Sequence, residues 1–471
     1  RELGLTLTGK NAGLSERIPM CGAPHHSIKT YIQDAIKKGF KVAICEQIED
    51  SKEAKGMVKR EVTEVISKGT LTDLDFLDNK DFNYLGSVLE YPSGFVITYA
   101  DISTGELNTM SIDKDENRLL NVVINNGFKE VLVDNTVDKK IIKILKDIYN
   151  VDVTQFEELY EEALPVDTEN LDLKSIRGIR HILYYLSVKE LKNIDHFKNV
   201  TVLDDGEYLS MDVHSIRNLE LFETLRLKER QNSLLWLIDK CKTAMGSRRL
   251  KAWMLKPLRD KSRIEARYDK IEKLRDNFLI RSRLADNLYE VYDIERLCGK
   301  VSAGNANARD LIQLASSLKV VPNIKDEIKE LGFDYEIEDF EDLYSLIAKA
   351  INEDAPVTLK DGSLIKEGYD SQLDELKKIR KGGKDFISSN EEEARTLTGI
   401  NNLKVGYNKV FGYFIEVTNS NKDKVKDEFG WIRKQTLVNA ERYISPELKE
   451  KENMILSAEE KIIELEYELF I

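Results

Sequence analysis

The chain has 471 residues, and at about 150 residues per domain that length implies roughly three domains and excludes a single small one. With 71 Lys/Arg and 84 Asp/Glu but only 25 glycines and 8 prolines, the composition predicts long, exposed helices. The net charge of −13 argues against a wholly basic nucleic-acid coat and leaves room only for local basic patches.

In chain order, a turn-rich loop over Ile18 to His26 precedes an amphipathic helix carrying Ile28, Tyr31, Ile32, Ala35 and Ile36, which Gly39 ends. Strands follow at Lys41 to Cys45 and Glu61 to Ile66, the second alternating as if one face were wet. A polar linker with Asp73, Asp75, Asp78, Asn79, Lys80 and Asp81 leads to a second α/β unit. There Leu85 to Leu89 and Phe95 to Ile102 form a hairpin around Pro92-Ser93-Gly94, and Val131 to Val133 supply a short buried strand. From about Leu171 to Ala350 periodic helices take over, among them Asp212 to Arg230, with Asp212 as N-cap, and Ser233 to Leu255. Asp354 to Asp370 breaks that run as a hairpin or loop. Leu373, Leu376 and Ile379 resume a helix expected to stop at Gly382-Gly383. Strands return at Leu403 to Tyr407 and Tyr413 to Val417. A last helix starts at Ser445-Pro446, with Leu448, Ile455, Ile462 and Leu469 seven apart and Ala458 and Leu465 in the second seam position.

Few motifs carry chemistry. A nucleotide phosphate loop, G-x-x-x-x-G-K-[ST], is not matched by Gly9-Lys10-Asn11, Gly299-Lys300-Val301 or Gly383-Lys384-Asp385, each without the hydroxyl residue. Asp101 and Asp134, each closing a strand, could hold a metal in a ribonuclease-H-like nuclease, but no third acid of convincing spacing accompanies them and turn residues are the favoured reading. His25-His26 lacks further metal ligands and fits a polar loop contacting phosphate. Cys21, Cys45, Cys241 and Cys298 lie far apart with no zinc-site spacing, which fits a reducing, cytoplasmic setting. No apolar run approaches the ~20 residues of a membrane span, and the first residues begin no signal peptide. The expectation is a soluble chain, cut at both ends.

Charge is distributed unevenly. Residues 1–72 carry a net +3 and residues 401–443 another +3, which leaves −19 on the rest. Two basic islands in an acidic helical frame suit a protein that touches a polyanion at two places. In the second island Lys404, Asn408, Lys409, Asn419, Asn421, Lys422, Lys424, Arg433 and Lys434 sit among short strands and turns, where lysine and asparagine hold phosphate oxygens without reading bases.

Ile18 to His26, Lys41 to Asp50 and Lys55 to Val62 closely resemble the mismatch-binding domain of the MutS family of bacterial DNA mismatch-repair proteins. Arg217 to Leu221, Thr243 to Arg248 with Trp253 and Pro257-Leu258, Leu403 to Asn408, and Arg433 to Tyr443 look like the same family's core and clamp, in order along nearly the whole chain. The resemblance implies a multidomain α/β plus α protein. Its parts would be a small mixed α/β mismatch-binding domain (1–72), an RNase-H-like connector (82–195), a long-helix core with levers (205–383), an inserted β-rich clamp (384–440) and a returning lever helix (441–471). It further implies that Met20 faces the minor groove while Lys10, Pro24, His25 and His26 flank the backbone, His25 standing where the family commonly has Tyr. The family's Phe-x-Glu mismatch element is expected before Arg1, and its ATPase and dimerisation domain beyond Ile471. The implied partners are mismatched or looped duplex DNA, MutL and a second copy of the chain. ATP and Mg2+ are expected for the full-length, ATP-hydrolysing protein, with no cofactor and no catalytic site in this chain. The alternatives are a long-helix scaffold for protein partners and the metal nuclease built on Asp101 and Asp134.

Overall fold

The computed structural model describes residues 2–10, 17–24, 27–49, 58–72, 76–408 and 412–471. The chain divides into two compact units, one of Arg1–Ala306 with Ser316–Asp339 and one of Asn307–Ala315 with Phe340–Ile471. Asp73 and Asp75 of the expected linker, and Lys55, Gly56 and Met57, lie outside the described residues.

The first unit opens with a short antiparallel pair, β1 (Thr8–Lys10) and β2 (Ile18–Met20). Helix α1 (Ile28–Lys37) buries Ala35 and Ile36 and stops before Gly39, whose φ of 84° a side chain would resist. An antiparallel ribbon follows, β3 (Val42–Gln47) with β4 (Arg60–Ile66). The one-wet-face alternation expected of β4 is not realised: residues 60–63 are exposed and 64–66 half-buried. A two-stranded ribbon is marginal by itself, and the C-terminal half of β4 is tied inward, through the Val65 amide to the Glu190 carbonyl at 3.1 Å and through Glu64 to Lys192.

Next come β5 (Leu85–Tyr91), β6 (Gly94–Asp101), β7 (Glu106–Ile112), α2 (Glu116–Asn125), β8 (Glu130–Val133), α3 (Lys139–Asp147), β9 (Asp152–Gln155), α4 (Leu173–Tyr184) and β10 (Thr201–Val202). The six strands form one mixed sheet in the order β10-β7-β6-β5-β8-β9, with the expected Pro92-Ser93 turn joining β5 to β6. One face packs Val88, Ile97 and Val131 against Leu119 and Val123 of α2 and Ile141 and Leu145 of α3. The other packs Leu85, Ala100 and Leu132 against Ile179, Ile182 and Leu183 of α4. Covered on both faces, β6 is buried along its whole length, which is why it reads as an apolar run and not as an alternation. Helix α4 lies close on the sheet because residue 178 is glycine: a Cβ there would stand 2.3 Å from Thr98 Oγ1.

The expected polar linker is not a free tether where it is described. Two fully buried arginines hold it: Arg248 donates to the Asn79 carbonyl (2.9 Å), and Arg296 to the carbonyls of Asp78 (3.1 Å) and Asp81 (2.7 Å). Arg248 in turn pairs with Asp293 (2.5 Å) and Glu295 (2.6 Å).

The helices of this unit are shorter than their periodicity predicts. Asp212 caps α5 (Val213–Asn218) as expected, but the helix ends before Glu220, which adopts a φ of 49°. The run expected over Ser233 to Leu255 is two helices, α6 (Leu234–Ile238) and α7 (Ala244–Leu255), divided at Asp239. That carboxylate draws Arg230, Lys80, the Ser247 hydroxyl and the Cys241 amide, and Thr243 caps α7 afresh, so local side-chain bonds displace the helical ladder. Helices α8 (Lys261–Asp276), α9 (Phe278–Tyr289) and α10 (Ile294–Ser302) follow, and α11 (Ala308–Glu330) runs through the boundary between the units.

In the second unit, α12 (Glu341–Ala350) leads to a bridge between Ile351 and Ile365, in keeping with the hairpin expected there. Helix α13 (Ser371–Thr398) then continues through Gly382-Gly383, correcting the expected stop. Each glycine costs about 1 kcal/mol against alanine, and 28 residues rich in Glu, Lys, Leu and Arg, packed along α14, outweigh that penalty. Strands β11 (Lys404–Asn408), β12 (Gly412–Thr418), β13 (Ile432–Thr436) and β14 (Ala440–Ile444) form an antiparallel sheet in the order β11-β12-β14-β13. Helix α14 (Pro446–Phe470) starts on the Ser445 cap and buries Leu448, Ile455, Ala458 and Ile462 as expected. Glu452 and Glu466 are buried in the same stripe, which the heptad pattern did not foretell.

Candidate nucleic-acid interface

In the first unit, Met20 ends β2 opposite Thr8, whose hydroxyl donates to the Met20 carbonyl at 2.8 Å. That bond fixes the strand end while the thioether stays 48% exposed, available to pack against a partner. Pro24 is exposed too, and its carbonyl accepts the amide and hydroxyl of Ser27, each at 3.0 Å, which closes the turn before α1. Lys10 lies on β1 opposite Ile18. His25 and His26 lie outside the described residues.

This small region is anchored by a polar knot. Lys41 donates to Glu130 Oε1 (2.9 Å), to Thr154 Oγ1 (3.2 Å) and to the Tyr185 hydroxyl. Glu130 is fully buried and also accepts from Ser67 Oγ (2.6 Å) and Tyr185 (2.7 Å). Burial pushes the Glu130 carboxyl up, but Lys41 and these hydroxyls together outweigh it and hold the pKa below the ordinary range. The neighbouring Glu190, equally buried and 3.8 Å from Lys41, is pushed up by its desolvation.

In the second unit, Ile400, Leu403, Ile415, Val417, Tyr443 and Leu448 form the apolar floor on which the four-stranded sheet rests. Val405 and Tyr413 pack toward that floor, so Lys404, Gly406 and Asn408 occupy the alternate face of β11. Gly406 has to be small: a Cβ would meet the Phe414 ring at 2.8 Å, and Arg442 lies over that ring at 4.1 Å.

The structure brings together part of the expected phosphate-holding set. Asn419, Asn421, Lys422 and Lys424 lie on one 3-10 turn, Asn419–Lys424, directly after β12. The Asn421 amide donates to Asn402 Oδ1 and Thr418 Oγ1, both at 3.2 Å, which sets the turn beside the start of β11, two residues before Lys404. Lys404, Lys422 and Lys424 are exposed and make no ion pair among the described residues. The two asparagines act as turn-formers, Asn419 donating to the Val438 carbonyl at 2.9 Å. Asn408 stands apart, at the other end of β11, paired with Gly412 where the hairpin runs back toward Glu452 of α14. Lys409 lies outside the described residues. Missing from the expected set is Val438, 92% exposed in the turn before β14 at the same end as Lys422. The signal for that turn was Asn439, a turn-former between two alternating runs.

Arg433 is drawn off by Glu441 at 3.2 Å. Glu441 also accepts the Tyr443 hydroxyl at 2.5 Å, and this bond above all keeps its carboxyl below the ordinary range.

The metal-nuclease arrangement is not realised. Ser103 and the Asn83 amide occupy the Asp101 carboxylate, while Thr136 and Arg177 occupy that of Asp134. Strand β5 separates their strands, and the register puts Asp101 at the Leu85 end of the sheet and Asp134 beyond Val88 at the other. Among the described residues no cluster of three or more His, Cys, Asp or Glu could hold a metal ion, and no helix is long and apolar enough to cross a membrane.

Comparison with known proteins places these elements in one family. Residues 1–75 match MutS domain I and residues 214–470 match MutS domain III. Proteins named DNA mismatch repair protein MutS align over the whole chain. That of Bacillus licheniformis is 45% identical with 54% of its own length covered, that of Clostridium tetani 42% with 55%, and that of Bacillus mycoides 42% with 54%. The chain therefore spans about half the length of the curated relatives it matches.

Proposed function

This chain belongs to the MutS family, and from that premise we propose that it is the DNA-contacting part of a mismatch sensor. The carrying observation is that the domain III match runs through the four-stranded sheet whose end presents Lys404, Lys422 and Lys424, exposed and without an ion pair among the described residues. In this reading residues 1–72 are the mismatch-binding domain, residues 82–195 an RNase-H-like connector, residues 205–383 the core, residues 384–440 a clamp and residues 441–471 the returning lever.

The division of labour follows from side-chain chemistry. The clamp lysines neutralise phosphates and hold the duplex whatever its sequence. Met20 meets the minor groove, while Lys10, Pro24 and the two histidines flank the backbone. Unstacking a base step costs a few kcal/mol, least at a mispair, so ease of deformation becomes the signal that is read. Asn408, Asn419 and Asn421 shape the clamp and reach phosphate as neutral donors, and Lys409 adds a further cation. Full-length relatives in this reading pair as dimers, use ATP and Mg2+ and recruit MutL. This chain carries no phosphate loop, so no step here runs through a nucleotide.

Equilibrium binding of the 471-residue chain to a matched and a G·T-containing duplex across a salt series tests the reading. Binding should weaken with salt, and each of Lys404→Ala, Lys422→Ala and Lys424→Ala should flatten the log–log slope by about 0.9, equally for every sequence. Absence of duplex binding at low salt, or a lysine variant that changes sequence preference, would overturn it.

A further inference from the structure

Within the first unit, the edge of the six-stranded sheet and helices α7 and α8 enclose a cavity of about 250 Å³ that the duplex-binding reading does not use. Its floor is Tyr99, 2% exposed, and its lip carries Trp253. Six cations line it against two carboxylates. Two of the cations are neutralised, Lys251 by Asp81 at 2.6 Å and Arg263 by Glu207 at 2.9 Å. The other four, Lys129, Arg249, Lys256 and Arg267, have no carboxylate partner among the described residues. Lys256 donates to the Tyr99 hydroxyl at 3.0 Å and is attracted by Glu106 without pairing with it. The remaining carboxylate, Glu106, is taken up by the Tyr84 hydroxyl (2.9 Å) and the Asn108 amide (2.8 Å). Burial also pushes its pKa up.

The cations are arranged as well as concentrated. The Arg267 guanidinium lies 3.9 Å from the centre of the Trp253 ring and that of Arg249 lies 5.8 Å from it, so one indole orders two planar donors. Burial, then repulsion from Arg249 and Arg263, makes Arg267 less basic than an ordinary arginine, and burial does the same to Lys256. A chain of net charge −13 gathers four cations around one hollow, Lys256 and Arg267 half-buried and Lys129 and Arg249 exposed, and a bound anion would relieve their mutual repulsion. Paired guanidinium forks with a lysine opposite suit tetrahedral oxyanions better than a lone carboxylate.

We propose that this cavity binds a compact phosphate-class polyanion, inorganic or carried on a nucleoside, through Arg249, Arg267, Lys256 and Lys129. The site is separate from the proposed duplex contacts, because none of the residues assigned to the duplex lines it.

Calorimetric titration of the 471-residue chain with pyrophosphate in magnesium-free, low-chloride buffer tests this, with ADP as a parallel ligand. Saturable one-to-one binding with Kd below about 1 mM is expected. Arg267→Gln should weaken it about tenfold or more, and Arg249→Gln with Arg267→Gln should abolish it. ADP binding at least about tenfold tighter than pyrophosphate assigns a nucleoside phosphate, and equal or weaker binding assigns the inorganic group. Thermal melting separates a ligand site from a structural one. The ligand-free double variant should melt at or above the parent temperature, since repulsion is relieved, and should lose the rise that pyrophosphate gives the parent. The exposed Lys129→Gln offers a further variant with little bearing on folding. Absence of binding by both ligands, unchanged affinity in the double variant, or displacement of pyrophosphate by duplex DNA would overturn the proposal.

Discussion

The imidazole of His181 is fully buried against the Phe156 ring, with Ser87 Oγ 2.8 Å from Nδ1 and the Phe156 carbonyl 3.1 Å from Nε2. A carbonyl only accepts, so Nε2 carries the proton and Nδ1 accepts the serine hydroxyl: the ring is neutral. Burial holds its pKa below the ordinary 6.5, and His196 is shifted the same way. The unfolded chain therefore takes up protons first as the pH falls. The stability these rings contribute is whole above about pH 6.5 and is lost progressively below it. The raised carboxyls of Glu106 and Glu190 work in the opposite sense at lower pH. Melting at about pH 7.5 and 5.5 should show a drop that is smaller in His181→Gln than in the parent, and an unchanged drop would refute this account. At this scale the sequence was only partly legible. That Lys404, Lys422 and Lys424 stand solvated was legible in the sequence, because a solvated cation depends little on its neighbours. Which asparagine closes a turn, and that Val438 sits among the lysines, depends on strand register, which composition does not carry.

Secondary-structure elements were legible wherever a local signal decided them. The Pro92-Ser93 turn, the Asp212 cap and the Ser445-Pro446 start all stand where turn and cap chemistry put them. Helix lengths failed where side-chain bonds or packing override periodicity: Asp239 halts one helix by drawing in Arg230, Ser247 and Lys80, and packing carries α13 across two glycines. Gly178→Ala sets two effects against each other. Alanine favours the helix by about 1 kcal/mol, but its Cβ would stand 2.3 Å from the oxygen of the fully buried Thr98. Overpacking of this kind costs about 1–3 kcal/mol and the threonine has nowhere to move, so denaturant unfolding should show a net loss of stability. A gain would mean that α4 can lift from the sheet at little cost.

At the scale of the whole molecule, the first 72 residues carry a basic island yet build little core of their own, and Lys41 joins them to the six-stranded sheet. Lys41→Met would leave Glu130 buried with hydroxyl partners only, a loss of about 1–3 kcal/mol. Hydrogen exchange should quicken over β3 and β4 while β5 to β8 keep their protection, and unchanged exchange in β3 and β4 would show that the knot does not hold them. In the second unit the four-stranded sheet has no flexible tether, since the chain enters it through α13 and leaves through α14. At ~1.5 Å per residue the 28 residues of α13 make a rod of roughly 42 Å. Near the rod's far end, Lys377 and the buried Glu466 lie 2.9 Å apart. Mechanically that pair stands at the fulcrum of a long arm. A tilt of about 10° there would swing the other end of the helix through roughly 5.5 Å, about the width of a minor groove. The position of the three lysines is thus geared to events one arm's length away, with the ratio set by helix length alone.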